Sequence, residues 1–279
     1  MSLSLAQALP LAMFILMVEL VVGSFAVMLL ADFEGDVGGG FLGLNALIFT
    51  GGALFATWLR AQYPPAATLS QVGVKLDWLA REGRAFSVFL VCLVLYNVAT
   101  WIGWAPARRA IGGATALAGV ASLVTGALAY GQPPWAGVGT ILNFLSASLV
   151  LGGAVTGMLL GHWYLVAPNL SPRPLRHMTI ILFAALAWQL LSLPVYLGLV
   201  GSSAAARQGA ELLGSYGLIL GVRLAIGLLF PLVLAGLAWH TARIKAMRSA
   251  TGLLYIGAGV VLTGEIVAKV LFFIGRLPV

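Results

Sequence analysis

Apolar residues run in long blocks along this chain, and polar residues interrupt them at short intervals. A helix that spans a bilayer needs about 20 mostly apolar residues. Eight blocks reach that length, at roughly 7–31, 40–61, 85–105, 110–130, 138–166, 177–201, 216–240 and 250–275. The connections are short, so successive helices alternate in direction and pack as one compact bundle. The pattern predicts an all-α polytopic membrane protein, with one membrane domain over residues 1–279. Both termini then share one face, the terminal side, opposite a far side. The first block has no basic residue ahead of it and continues for a full span, which predicts a retained helix and not a cleaved signal.

The connection 62–84 has a pattern of its own. After Pro64 and Pro65, Thr68 and Gln71 have capping-box spacing. Val72, Leu76, Leu79 and Gly83 share a face, with Lys75, Asp77, Arg81 and Glu82 mostly off it. This predicts a short helix over roughly 68–83, lying in the membrane interface or forming a docking surface for a partner subunit. A shift of 130 residues lays VGSFAVMLLADF (22–33) over GGAVTGMLLGHW (152–163). The same shift brings helices two and three onto six and seven, and helix four roughly onto eight. A four-plus-four duplication accounts for this, and so does the abundance of Leu and Gly.

Composition sharpens the picture. Hydrophobic residues make up 61% of the 279, charged residues 8%, and the mean hydropathy is +1.04. Soluble domains carry about 25% charged residues, so a water-facing globule is excluded. The net charge of +7 comes from basic residues in short loops, the ordinary distribution for membrane topology, and nucleic acid has no place as a partner. Far-side loops hold Arg108, Arg109, Arg173, Arg176, Arg243, Lys245 and Arg248; the terminal side holds Arg60, Lys75, Arg81, Arg84, Arg207 and Arg276. The far-side residues form three tight clusters, which favours cytoplasmic far-side loops and outward termini. The single Cys92 excludes an internal disulfide and a cysteine metal site. No P-loop, HExxH, GxSxG or CxxC motif is present.

Ionisable side chains inside a membrane are costly, about 2.5–3.5 kcal/mol each on insertion scales, and so mark candidate functional sites. Four qualify: Glu19, Arg223, Glu265 and Lys269. Glu19 shares a face with Ala12, Gly23 and Ala26, small residues that admit a close neighbouring helix. Glu265 and Lys269 have the spacing of an intrahelical ion pair, and Arg223 enters at a depth similar to Lys269. One positive charge is then left over unless Glu19, a backbone carbonyl or an anionic ligand answers it. Such a cluster fits a buried structural pair, a proton path or a site polarising a quinone.

His162, His177 and His240 all fall near the far-side surface. Two imidazoles on facing helices can hold a b-type haem, so His162 with His240 or His177 is one candidate site. However, His162 points roughly 140° from Ser146 at 100° per residue, off the helix face bearing Asn143, Gly153 and Gly157. Beside Trp163 and Tyr164 it reads first as part of the aromatic belt, with a quinone hydrogen bond and a haem as alternatives. Polar stripes also occur at Asn97, Thr100, Trp101 and Trp104, and at Gln189, Ser192 and Tyr196 beside the kinking Pro194.

Two stretches carry a family resemblance. ALPLAMFILMVELVVGSFAVMLL (8–30) resembles the first helix of the membrane-anchor subunits of the dimethyl sulfoxide reductase and polysulfide reductase NrfD-like families. LTGEIVAKVLFF (262–273) resembles their last-helix pattern, with Lys269 standing where an Arg is expected. The resemblance implies a non-catalytic subunit in a bacterial cytoplasmic (inner) membrane, within a respiratory or photosynthetic complex. It implies quinone (menaquinone or ubiquinone) as bound substrate and peripheral iron–sulfur or cytochrome subunits as partners, alongside membrane lipid. Glu265, Lys269, Arg223 and Glu19 become quinone- and proton-handling residues. The alternatives are a haem b cytochrome subunit and a small-solute or ion transporter, the latter suggested by the buried charges, Pro194 and Pro231.

Overall fold

The computed structural model describes residues 5–167, 170–198 and 202–275. The predicted end of the sixth span at 201, and Arg276, lie outside them. Ten α-helices follow in order: α1 (Leu5–Glu34), α2 (Gly39–Arg60), α3 (Ala66–Gln71), α4 (Leu76–Ile102), α5 (Ala105–Tyr130), α6 (Val138–Val166), α7 (Arg173–Tyr196), α8 (Ser203–Leu224), α9 (Phe230–Arg243) and α10 (Met247–Gly275). A π-helical turn, Ala225–Leu229, runs α8 into α9 as one span. Among the described residues, eight helices are long and apolar enough to cross a membrane. The protein is an all-α, multi-pass membrane protein.

Local chemistry sets the turns. Gly103, at φ +81, closes α4 in a left-handed conformation that a side chain would strain. Pro106 then opens α5, where its missing N–H leaves no bond unmade. Gly73, at φ +87, ends the short α3. Only α3 forms in the stretch predicted as an interfacial helix, and it is capped by Pro65 without a side-chain bond, so Thr68 and Gln71 form no capping box. Residues from Leu76 onward are instead the opening turns of the long α4. Glu82 there is buried and bound by Arg60 of α2, so the helix enters the bundle with its charge answered.

At the centre, α1 and α6 cross with 72% of the most apolar stretch of each buried. The crossing depends on glycine. A Cβ on Gly23 would fall 1.7 Å from the Ser148 carbonyl oxygen, and one on Gly152 would fall 2.2 Å from the Gly23 carbonyl carbon. Thr156 Oγ1 donates to the Ser24 carbonyl across the same contact, at 3.0 Å.

Around this axis the helices close into two rings. In the first, α1 packs on α2, α2 on α4, α4 on α5, and α5 on α1. In the second, α6 packs on α7, α7 on α9, α9 on α10, and α10 on α6. Contacts between rings come in matched pairs: α1 with α10 answers α6 with α5, and α1 with α7 answers α6 with α2. This two-fold pattern is the arrangement a four-plus-four duplication produces.

Candidate functional site

The four intramembrane charges converge where the rings meet. Lys269 Nζ on α10 lies 2.6 Å from Glu19 Oε1 on α1, and over the Phe144 ring of α6, 4.9 Å from its centroid. Arg223 Nη2 on α8 donates to Glu265 Oε1 on α10 at 3.2 Å and to Gln189 Oε1 on α7 at 3.0 Å. All four charged residues are 1% exposed or less. The predicted Glu265–Lys269 pair within α10 does not form; each reaches to a different helix. Glu19 supplies the missing negative charge, so the cluster holds two acids and two bases.

Backbone features invisible to charge spacing hold this arrangement. Pro231 has no N–H, so the Gly227 carbonyl four residues earlier lacks its ordinary helical donor. Arg223 Nη1 takes that carbonyl at 3.4 Å. The π-helical turn lies at the same place, and such turns recur at functional sites. Gly227 also meets Gly264 of α10: a Cβ on Gly264 would fall 2.4 Å from the Gly227 Cα. This backbone contact sets Glu265, the next residue, against Arg223.

Hydrogen bonding in the cluster is incomplete. Glu19 Oε2, Glu265 Oε2, Arg223 Nε and Gln189 Nε2 are buried with no partner in the protein. Two acceptors and two donors are thus free, in a place where an unmade hydrogen bond to a charged group costs at least about 1–3 kcal/mol. Buried orphans of this kind call for ordered water, a moving proton or a ligand.

The histidines do not gather. His162 is exposed, and its Nδ1 lies 3.0 Å from the Tyr255 hydroxyl of α10. His177 Nδ1 lies 2.5 Å from Glu34 Oε1 at the end of α1. His240 borders an apolar cleft with Ile180, Phe183, Ala184, Gly236 and Trp239, between α7 and α9. Among the described residues no group of three His, Cys, Asp or Glu could hold a metal ion. Tyr164 is buried, not part of a belt, and its hydroxyl donates to the Ser171 carbonyl.

A second buried acid escaped the sequence reading. Asp32 is 1% exposed near the far end of α1. Arg108 Nε and Nη2 grip its two oxygens at 2.8 and 2.5 Å, and the Tyr96 hydroxyl donates to Oδ2 at 2.9 Å. Its place just past the predicted end of the first span made it look like a loop residue. Compared with known protein families, curated proteins and solved structures, the chain matches none.

Proposed function

We propose that this protein is the membrane subunit of an electron-transfer complex, and that its intramembrane cluster handles the protons of quinone turnover. The observation carrying this reading is the neutral set Glu19, Lys269, Glu265 and Arg223, fully buried yet with a free oxygen on each acid. Ionisable groups held inside a membrane are characteristic of proton relays. Each free carboxylate oxygen can take a proton while the other keeps its cation. Gln189 Nε2 and Arg223 Nε are free donors suited to a carbonyl or a water.

A quinol gives up two electrons and two protons per turnover, a quinone takes them up, and either must reach the cluster from lipid. The entry we propose is an apolar groove of about 370 Å³ between α6 and α7, lined by Leu142, Leu145, Ser146, Ala185 and Trp188 among others and by none of the cluster residues. Two of its residues, Leu145 and Trp188, are chain neighbours of Phe144 and Gln189 in the cluster. Peripheral iron–sulfur or cytochrome subunits would carry the electrons.

A second reading is a proton-coupled transporter of a small solute. It is favoured by the two matched rings and by the Glu19–Lys269 pair that joins α1 of one ring to α10 of the other. The deciding experiment purifies the native complex with Glu265→Gln and Glu19→Gln. Loss of quinol-dependent turnover by about tenfold or more, with assembly intact, supports the first reading, since a positioned acid or base typically contributes about 10²–10⁴ in rate. Normal quinol kinetics in both variants overturns it. Proton-driven uptake by the chain alone in proteoliposomes would establish the second.

A further inference from the structure

The far-side surface is electrically lopsided. In the first ring, Arg108 and Arg109 face Asp32, with Glu34 and Asp36 alongside. In the second ring, Arg173 and Arg176 open α7, and Arg243, Lys245 and Arg248 surround the turn from α9 to α10. No acidic residue occurs in 160–180 or 240–250, and no salt bridge engages any of these five bases among the described residues.

A concavity of about 640 Å³ lies in this basic region, walled by Tyr164 and Leu165 of α6 and by the run Lys245–Ser249. No acid lines it. Asp36, in the α1–α2 turn, bears electrostatically on Tyr164 without lining the cavity. Apolar surface stands beside the cations, with Leu165, Val166 and Ile244 exposed by 50%, 71% and 60%. Lys245 itself holds φ +62, a left-handed conformation uncommon outside glycine and asparagine. The tightest point of the turn thus carries a cation where glycine would sit with less strain.

We propose that this turn binds the phosphate headgroup of an anionic membrane phospholipid, with Lys245 and Arg248 on the phosphate and Leu165, Val166 and Ile244 along the acyl chains. The cavity lies at helix ends, the level where lipid phosphates stand, and its size suits one headgroup. Basic pockets between transmembrane helices recognise anionic lipids through this charge complementarity. The adjacent apolar wall distinguishes a lipid from free phosphate, and the concave single-turn shape distinguishes it from the broad face of a protein partner. The inference is independent of the intramembrane cluster.

The test uses the purified full chain in mild detergent, with melting temperature and native mass spectrometry as readouts. Phosphatidylglycerol, phosphatidylcholine and inorganic phosphate are added in turn. The expected result is a rise in Tm and a retained lipid adduct with phosphatidylglycerol alone. Lys245→Gly eases the backbone and removes one cation; it should keep or raise the lipid-free Tm while weakening the lipid response. With Arg248→Gln added, affinity should fall about 30-fold, at roughly 1 kcal/mol per cation near an anionic surface. An equal response to phosphatidylcholine, or an unchanged response in the double variant, overturns the proposal. An equal Tm rise with inorganic phosphate makes the turn a free-anion site and overturns the lipid assignment. Loss of a co-purifying acidic protein from the double variant, with the lipid response intact, reassigns the patch to a partner.

Discussion

Asp32 and Glu19 lie on the same helix, both buried at 1% exposure or less, and the protein treats them in opposite ways. Asp32 is saturated: three donors from Arg108 and Tyr96 occupy its two oxygens. Its arginine partners reach toward water, with side chains 12% and 38% exposed at Arg108 and Arg109. Glu19 meets a single cation that is itself buried, and one oxygen stays free. A saturated charge near the surface ties helix ends together and has nothing left to offer. A balanced cluster at mid-depth with free atoms keeps the capacity to bind or pass something. The first ring's far end is built as a lock, whereas the junction between rings leaves buried polar atoms unpaired.

The largest effect should come from unbalancing the junction. Lys269→Met leaves Glu19 buried without its cation, which typically costs about 3–5 kcal/mol. The double variant Glu19→Leu/Lys269→Met should recover most of that loss, because an apolar pair of similar volume needs no compensation. Unfolding in detergent measures both. A single variant as stable as the native chain would mean that Glu19 does not depend on Lys269. Next in size is Gly264→Val, whose side chain would enter the backbone contact with Gly227. A loss of about 1–3 kcal/mol is expected from the overpacking, together with loss of the Arg223–Glu265 bond and of turnover.

Much of this junction was legible in the sequence. Intramembrane charge alone picks out Glu19, Arg223, Glu265 and Lys269, because an apolar span makes each of them conspicuous. The pairing was not legible. Spacing of four suggests a bond within α10, but crossing helices offer closer partners that no single-helix argument contains. Gly227, Gly264 and Pro231 were equally hidden as a group: their meaning lies in one missing N–H and one backbone crossing. Asp32 was passed over because a span boundary placed a few residues early turns a buried acid into a loop. The run 68–83 failed for a related reason. Its expected face does not form: Leu76 is 38% exposed, Glu82 is buried against Arg60, and the chain breaks at Gly73 before α4 begins at Leu76.

The lock predicts a smaller effect, and one confined to stability. Asp32→Asn removes a charge whose arginines can recover water, so a loss of about 1–2 kcal/mol is expected. Turnover per assembled complex should stay within about twofold of native, a difference of roughly 0.4 kcal/mol in barrier. A drop in turnover as deep as that of Glu265→Gln would erase the distinction between the two acids. Measuring both variants in the same preparation separates folding from function.

The smallest effect belongs to His162, which tests whether the far side of the second ring holds chemistry or only a membrane boundary. Its Nδ1 shares one hydrogen bond with the Tyr255 hydroxyl, at 3.0 Å, on exposed surface. Removing such a bond leaves both partners open to solvent or headgroups, so His162→Ala should change stability by no more than about 0.5 kcal/mol. Tyr255→Phe should do the same, and the double variant should add little to either, since both remove the same bond. A redox difference spectrum of the purified chain supplies the sharper reading. A b-type band lost in His162→Ala but kept in Tyr255→Phe would make the imidazole a metal ligand, and the far side would then carry a second functional centre. Equal, small effects and an unchanged spectrum would leave His162 as a polar clasp between α6 and α10, and the junction as the place where this protein works.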